Sequence, residues 1–535
     1  MATMNRREFL RNVGIASAAA GATACAYDPK TPVENVLPYV NQPEDAIPGA
    51  ATYFSTLCNG CANACGLVAR AKDGRVVMVE GNPDHPDGPG LCTRGHFDLL
   101  ATYSPDRAAG PMIAGAAADW DTALGKVAEA IKAARAAGKK VAWLGQYRTG
   151  SVARLLDEWT SGGGLERVHW EALGVESILK ATQQVFGIAA HPSYELADAQ
   201  VVVSFGHDFL GTAFDSMHLA KGWAKAKDPA HGGFVARFVA IEPRVSATSS
   251  QADNHFRPVP GTEVDVALAL AKLVAARKNY AGPAAGILAG VNPAEVAQAS
   301  GLLDRLEAIA GWIADAPRSV VLPGGTANAG TDGTALAVAT LLLNEVAGNI
   351  GTTVSLARAL RPGRVHGYAD AKALLEGCRA GKVGVLFLDG ADPAFTFPGA
   401  DKAAEALAAV GTLVHLDNEP NDSTTENAIL LPPGTGLETW GDAEIARGTV
   451  VLQQPAMVPL KDVRAVGDVL IALGRTLGIV PVRAEAAPVE TAETSAPAAA
   501  PVEGEAKPEE AAPGATAEGA APVEAPAEAA AAVGL

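Results

Sequence analysis

From about residue 120 the chain alternates short runs that are apolar on both faces with longer segments of helical period. The runs are Val141–Gly145, Val201–Gly206, Phe238–Glu242, Val320–Gly324, Val383–Gly390, Leu413–Asp417 and Ala428–Leu431. Most end in Gly, Asp or Pro and lead into a helix-length segment. A strand that is apolar on both faces must be covered on both, which is the pattern of parallel sheets between helices. Trp120 to Ala137 has helical period, with Asp121 near its start. The pattern predicts an α/β protein with two doubly wound parallel-sheet domains. One is discontinuous, over 107–165 and 315–436, and the other is inserted at 166–314. Upstream, Gly66 to Glu80 carries two apolar runs around Lys72-Asp73-Gly74, which predicts a tight β-hairpin within a small antiparallel domain at 51–106. Residues 437–480 are expected to return to that small domain. From Pro481 to Leu535 the chain is mostly Ala, Pro, Glu and Gly without periodicity and is expected to be a disordered tail.

Composition changes this picture little. The formal charge of -17 argues against nucleic acid as a partner. About half of it sits on the tail, where residues 484–535 hold ten Glu and one Lys. The first 25 residues are more informative: Arg6-Arg7 precede Phe9-Leu10 and an alanine-rich apolar stretch, the layout of a twin-arginine export signal. Such a signal predicts a periplasmic protein, or one on the outer face of the cytoplasmic membrane. Ala24-Cys25 closes that stretch and offers a lipidation site, and the Pro-rich residues 26–50 read as a linker. No other stretch approaches the length of a transmembrane span.

The candidate chemistry lies in four of the six cysteines. Cys58, Cys61, Cys65 and Cys92 are spaced C-x2-C-x3-C-x26-C. Thiolates at that spacing can close around one metal centre, and three ligands from one tight loop with a fourth from afar suit a [4Fe-4S] cluster. Asn59, Gly60, Ala62, Asn63 and Ala64 are small enough to turn backbone N–H groups toward sulfide. The rivals are a structural zinc, whose knuckles more often come as two C-x2-C pairs, and no metal at all. His85 and His96 lie nearby but are surplus to four thiols. Cys378 stands alone in a helical stretch and reads as a buried small side chain.

Beyond Cys92 the chain reads L-C-T-R-G-H-F-D-L-L-A-T-Y-S-P-D-R-A-A-G-P-M, from Leu91 to Met112. This run, with Trp120-Asp121, A-D-A-Q-V-V-V-S-F-G-H-D, I-E-P-R-V-S-A-T-S-S-Q-A-D, P-V-P-G-T-E-V-D, A-G-N-I-G-T, D-G-A-D-P and L-P-P-G-T-G-L-E-T-W-G-D, resembles the molybdopterin oxidoreductase family over roughly residues 52–478. The resemblance implies an oxidoreductase. It gives Arg94 the role of electron relay between cluster and pterin. Gly206, His207, Asp208, Glu242, Arg244, Gly261, Thr262, Gly390 and Asp392 are implied to line the pterin dinucleotide sites. Several of these sit at carboxyl ends of predicted strands, where open α/β sheets bind nucleotides. Read from the residues alone, they are only tight turns between strand and helix.

Three departures from the family pattern stand out. No Cys lies between Cys92 and Cys378, where many catalytic members carry a molybdenum ligand, and no convincing substitute stands out around Gly174–Pro192, where Ser177 is a candidate. The family's G-x-N-P turns become G-H-D-F at Gly206–Phe209 and G-A-D-P at Gly390–Pro393. A carboxylate about 4 Å from a phosphate is repelled by about 4 kcal/mol at a surface-like dielectric. Finally, the folded pattern ends near Gly478, short of the family's closing β-barrel domain. Together they lead to the expectation that the cluster is kept and the molybdenum cofactor lost. The segment from Leu437 to Leu460 is most similar to the molybdenum-free large B subunit of alternative complex III, a quinol-oxidising complex. That likeness implies an exported electron-transfer subunit of a membrane-associated quinone complex. Its implied partners are a multi-cluster ferredoxin-like subunit, a quinone-binding membrane subunit and a cytochrome c. The alternatives are a shortened catalytic enzyme with molybdenum or tungsten bis-pterin, and a structural assembly subunit.

Overall fold

The structure, a computed structural model, describes residues 49–170, 175–324, 330–361 and 365–479. The expected export signal, Cys25, nearly all of the linker and the acidic tail lie outside the described residues. The chain begins with β1 (Ala51–Leu57), β2 (Gly66–Lys72) and β3 (Arg75–Gly81). Further along come β4 (Met112–Ile113), β5 (Ala116–Ala117), β6 (Lys140–Gly145), β7 (Leu165–His169), β8 (His191–Tyr194), β9 (Val201–Ser204), β10 (Arg237–Ile241), β11 (Asn254–Phe256) and β12 (Ser319–Leu322). The last third adds β13 (Val354–Leu360), β14 (Val383–Asp389), β15 (Thr412–Leu416), β16 (Ile429–Leu430), β17 (Gly441–Ala446) and β18 (Thr449–Gln453).

β1, β2 and β3 form an antiparallel sheet in that order. The β2–β3 turn is the expected one. Asp73 and Gly74 both take positive φ (48° and 75°), a turn whose twist matches the flanking strands and which Asp-Gly adopts at little steric cost.

The seven apolar runs read from the sequence are all strands, divided between two sheets. One has seven strands in the order β5-β4-β16-β15-β14-β6-β7, parallel from β16 to β7. The other is parallel throughout, in the order β11-β10-β9-β12. β14 shows why both faces had to be apolar. Val385 and Phe387 pack with Val127 and Ile131 of the helix Trp120–Ala136 on one side. Leu386 and Leu388 pack with Leu374 and Leu375 of the helix Tyr368–Arg379 on the other. Each such side chain contributes about 1.5–3 kcal/mol on burial. The helix Trp120–Ala136 starts where Asp119 accepts a 2.7 Å hydrogen bond from the Thr122 N–H.

Strand register sets the site. Asp389 of β14 lies level with Gly145 and Leu416, so Gln146, Gly390 and Asp417 emerge at one edge of the seven-stranded sheet. Ser204 of β9 lies level with Ala240 and Leu322, so the chain after β9 and after β10 leaves the second sheet at a common edge. Residues 435–460 come back against the small antiparallel sheet. Leu437, Ala456 and Met457 share one apolar cluster with Leu67, Val76, Val79, Cys58 and Cys65. Arg107 and Glu438 bind this junction with a fully buried ion pair of 2.6 Å.

Candidate metal centre

The loop between β1 and β2 is tied at its neck by the Cys58 N–H donating to the Cys65 carbonyl at 2.9 Å. Ala64, at φ 46°, reverses the chain inside that neck. The Gly60 N–H points at Cys58 Sγ at 3.3 Å, so the loop turns an amide toward sulfur. The fourth cysteine arrives as the N-cap residue of the helix Thr93–Thr102, where amide groups and the helix dipole favour negative charge. Cys58, Cys61, Cys65 and Cys92 all line one cavity of about 180 Å³.

That cavity bears on what the thiols can hold. A single zinc ion draws four sulfurs to about 2.3 Å from one point. The four thiols line a shared cavity of about 180 Å³, larger than one ion needs. Space and donor set both fit a polynuclear iron–sulfur cluster. Burial, then Asp98 and the neighbouring thiols, pushes Cys58 up to about 12, and burial with its three neighbours raises Cys65 further. Burial and mutual charge thus keep Cys58 and Cys65 protonated unless a positive centre offsets them.

The surroundings are specific. His85 is buried, and its ring packs on Gly66. Its Nδ1 accepts from the Asp87 N–H at 3.2 Å, while His96 is exposed. Neither lines the thiol cavity. Arg94 does line it; its stem covers Gly60 and its guanidinium reaches the Gly60 carbonyl at 3.5 Å from an exposed position. Gly211, Thr212, Ala213, Phe214 and Ser216 complete the wall. The sequence motifs gave no sign of that contribution, because these residues follow a strand of the second sheet far along the chain. Cys378 lies apart and is fully buried in its helix, its thiol pushed up to about 12 by burial.

Two larger cavities adjoin the cysteine loop. One of about 640 Å³ runs from Cys58 and Cys61 to Gln146, Gly390 and Asp417 at the strand ends. The other, of about 810 Å³, is lined by Arg148, Arg154, Arg167, Arg361, His169 and His366, among others. Burial, then Arg167 and His366, pulls His169 down to about 3, so it is neutral. Arg148 is spoken for: Nε and Nη2 bind the two oxygens of the buried Asp389 at 2.9 and 2.5 Å. Val175 and Leu179 line this cavity, whereas Ser177, between them in sequence, is half-buried and is not part of the lining.

The residues implied as pterin contacts divide between the two strand-end edges. After β9, Gly206 turns the chain at φ 73°. His207 and Asp208 are buried, and Asp208 accepts from the Thr248 hydroxyl at 2.7 Å and the Thr248 N–H at 3.2 Å. Glu242 is buried and accepts from the Ser246 N–H at 3.0 Å, whereas Arg244 is exposed. Gly261 and Thr262 open the helix Glu263–Arg277, with the Gly261 N–H donating to Glu263 at 2.8 Å. At the other edge the Gly390 carbonyl accepts from Gln146 at 2.6 Å. Asp392 caps a short turn through the Phe395 N–H and accepts from the Ser423 hydroxyl at 2.5 Å. Both aspartates are thus satisfied by their own chain. The Thr248 hydroxyl and amide and the Ser423 hydroxyl already bind carboxylate oxygen, whereas the buried His207 ring nitrogens at the first turn have no hydrogen-bond partner among the described residues. Thr248 falls inside the I-E-P-R-V-S-A-T run, so its part was within reach of the motif; Ser423 carried no such signal.

The profile of the molybdopterin oxidoreductase Fe4S4 domain matches residues 51–104, and that of the molybdopterin oxidoreductase family matches residues 111–475. The menaquinone reductase molybdopterin-binding-like subunit of Nitratidesulfovibrio vulgaris is 27% identical over 508 residues, covering 89% of this chain and 72% of that subunit. The NADPH-Fe(3+) oxidoreductase subunit alpha of Geobacter sulfurreducens is 27% identical over 478 residues. This match covers 80% of the chain but 56% of that subunit, so the chain spans little more than half its length. Among solved structures, acetylene hydratase from Pelobacter acetylenicus superposes with a TM-score of 0.67 at 13% identity, over 79% of this chain and 69% of that one. At that identity the likeness speaks for the fold alone.

Proposed function

Because the chain belongs to the molybdopterin oxidoreductase family, with an Fe4S4 domain at its start, we propose that it is an electron-transfer subunit of a membrane-associated quinone oxidoreductase complex, working through one [4Fe-4S] cluster and without molybdenum. The observation that carries the reading is the contrast within one fold. Four cysteines line a single cavity, while Asp208 and Asp392 fill the pterin-type turns with internally bound carboxylates. Similarity to a menaquinone reductase subunit supports the quinone assignment.

When bound, such a cluster accepts and returns one electron at a time. The chain's own residues would set its surroundings. Cys58, Cys61, Cys65 and Cys92 would hold it, the Gly60 N–H would stabilise charge on Cys58 sulfur, and Asp98 would oppose added negative charge. Arg94, at the cavity rim, is the cation through which the family resemblance routes electrons. The chain would be exported with the cluster already inserted, through the twin-arginine layout at Arg6-Arg7, with Cys25 as a lipid anchor. Its partners would be a multi-cluster ferredoxin-like subunit, a quinone-binding membrane subunit and a cytochrome c.

One observation favours a second reading, a shortened catalytic molybdenum or tungsten enzyme. The cavity of about 810 Å³ is basic and has room for a cofactor. The two readings part on purification from native membranes in mild detergent. The first predicts that the chain comes out with a quinone-binding membrane subunit and that its EPR signal responds to added quinol. Recovery only as a free protein whose signal ignores quinol would overturn it.

A further inference from the structure

Three of the four cavity thiols come from one loop with a tied neck, but Cys92 comes from the far end of the loop Asn82–Leu91. That loop has turn hydrogen bonds of its own, including the Gly88 N–H to the His85 carbonyl at 2.9 Å. It is also gripped from outside by the helix Ser216–Ala226, which begins at the cavity wall. Lys221 Nζ donates to the Pro86 carbonyl at 2.8 Å. His218 Nδ1 stands 3.4 Å from Asp87, and its Nε2 stands 3.6 Å from Glu195. Met217 packs with Leu91 against the apolar cluster that contains Cys58 and Cys65. Met217 and Lys221 are one helical turn apart and share a face. The approach is close: a Cβ on Gly88 would lie 2.5 Å from Lys221 Cδ, and one on Gly90 would lie 2.6 Å from Met217 Sδ.

We propose that Lys221, with Met217 and His218 beside it, is a latch that positions Cys92, so that the second sheet's helix fixes the one cluster thiol the tied loop does not. Burial pulls His218 down, but Asp87 and Glu195 hold it up to about 10. It is therefore charged at neutral pH and can bind both carboxylates. Held this way, the Asn82–Leu91 loop delivers its thiol at a fixed distance. Without the latch the loop keeps its internal turns and its ties at Asn82 and His85 but loses its hold nearest Cys92, and Cys92 becomes the ligand most easily released. The proposal rests on the cluster reading above.

The test is Lys221→Ala in the full-length chain, purified without oxygen and challenged with a ferrous chelator. Loss of the cluster's visible absorbance should accelerate by about tenfold, the scale on which supporting contacts tune metal sites. The thermal midpoint of the α/β body should stay at the wild-type value. Lys221→Arg, which can still donate to the Pro86 carbonyl, should restore slow loss. Wild-type kinetics in Lys221→Ala would overturn the latch. So would faster loss with an equal fall in the thermal midpoint and no rescue by arginine, since the contact would then serve the fold in general. A wild-type chain without iron would instead sink the cluster reading itself.

Discussion

Cys58 and Cys65 face their cavity as buried thiols that resist ionisation, while Asp208 and Asp392 stand at the strand ends already supplied with donors from their own chain. At the first, burial and mutual charge keep Cys58 and Cys65 from ionising unaided. At the second, Asp208 and Asp392 already accept from the Thr248 and Ser423 hydroxyls. Both belong to a family whose name refers to the cofactor of the second region, so use of each site has to be tested separately.

The comparison can be broken most sharply at the cysteines. Cys61→Ser should abolish the low-temperature EPR signal of the cluster altogether, and an unchanged signal would remove the first half of the contrast. Next in size is the junction that holds the cysteine domain to the returning segment. Arg107→Ala should cost about 3–5 kcal/mol, because it leaves Glu438 buried without its partner. Denaturant unfolding followed by circular dichroism reads this. The same pair gives a pH dependence. Burial alone would raise the Glu438 carboxyl, but Arg107 and the Leu460 and Thr435 amides hold it below its ordinary value. A depressed carboxyl contributes stability above its unfolded value of about 4.3 and loses it as pH falls through the folded one. Melting curves should therefore show a loss on acidification that Glu438→Gln removes.

The smallest expected effect lies in the self-satisfied region. Thr248→Ala strips Asp208 of its hydroxyl donor and should cost about 1–3 kcal/mol, with no effect on the cluster's EPR signal. A spectral change there would mean that the two regions are coupled.

Much of this was legible in the sequence, for physical reasons that differ by element. β9, β12 and β14 read clearly because strands covered on both faces must be apolar throughout. The β2–β3 hairpin read clearly because Asp73-Gly74 has few other uses. That the four cysteines share one cavity was legible because their spacing, three in one short loop and one further on, suits a common centre. β4, β5 and β16 are two residues long, and β13 pairs with β8 through a register shift, so periodicity had little to work on. The cavity wall at Gly211–Ser216 and the Ser423 donor to Asp392 are contacts between distant segments made by common residue types. Only the assembled fold brings them to the site.

The central claim is that the chain keeps its cluster and has closed its pterin turns. Metal analysis of the protein purified anaerobically after expression in a host able to make both cofactors tests it most directly. The account predicts about four iron per chain, as one [4Fe-4S] cluster requires, with neither molybdenum nor tungsten and no pterin fluorescence after denaturation. Stoichiometric molybdenum or tungsten with released pterin would contradict it.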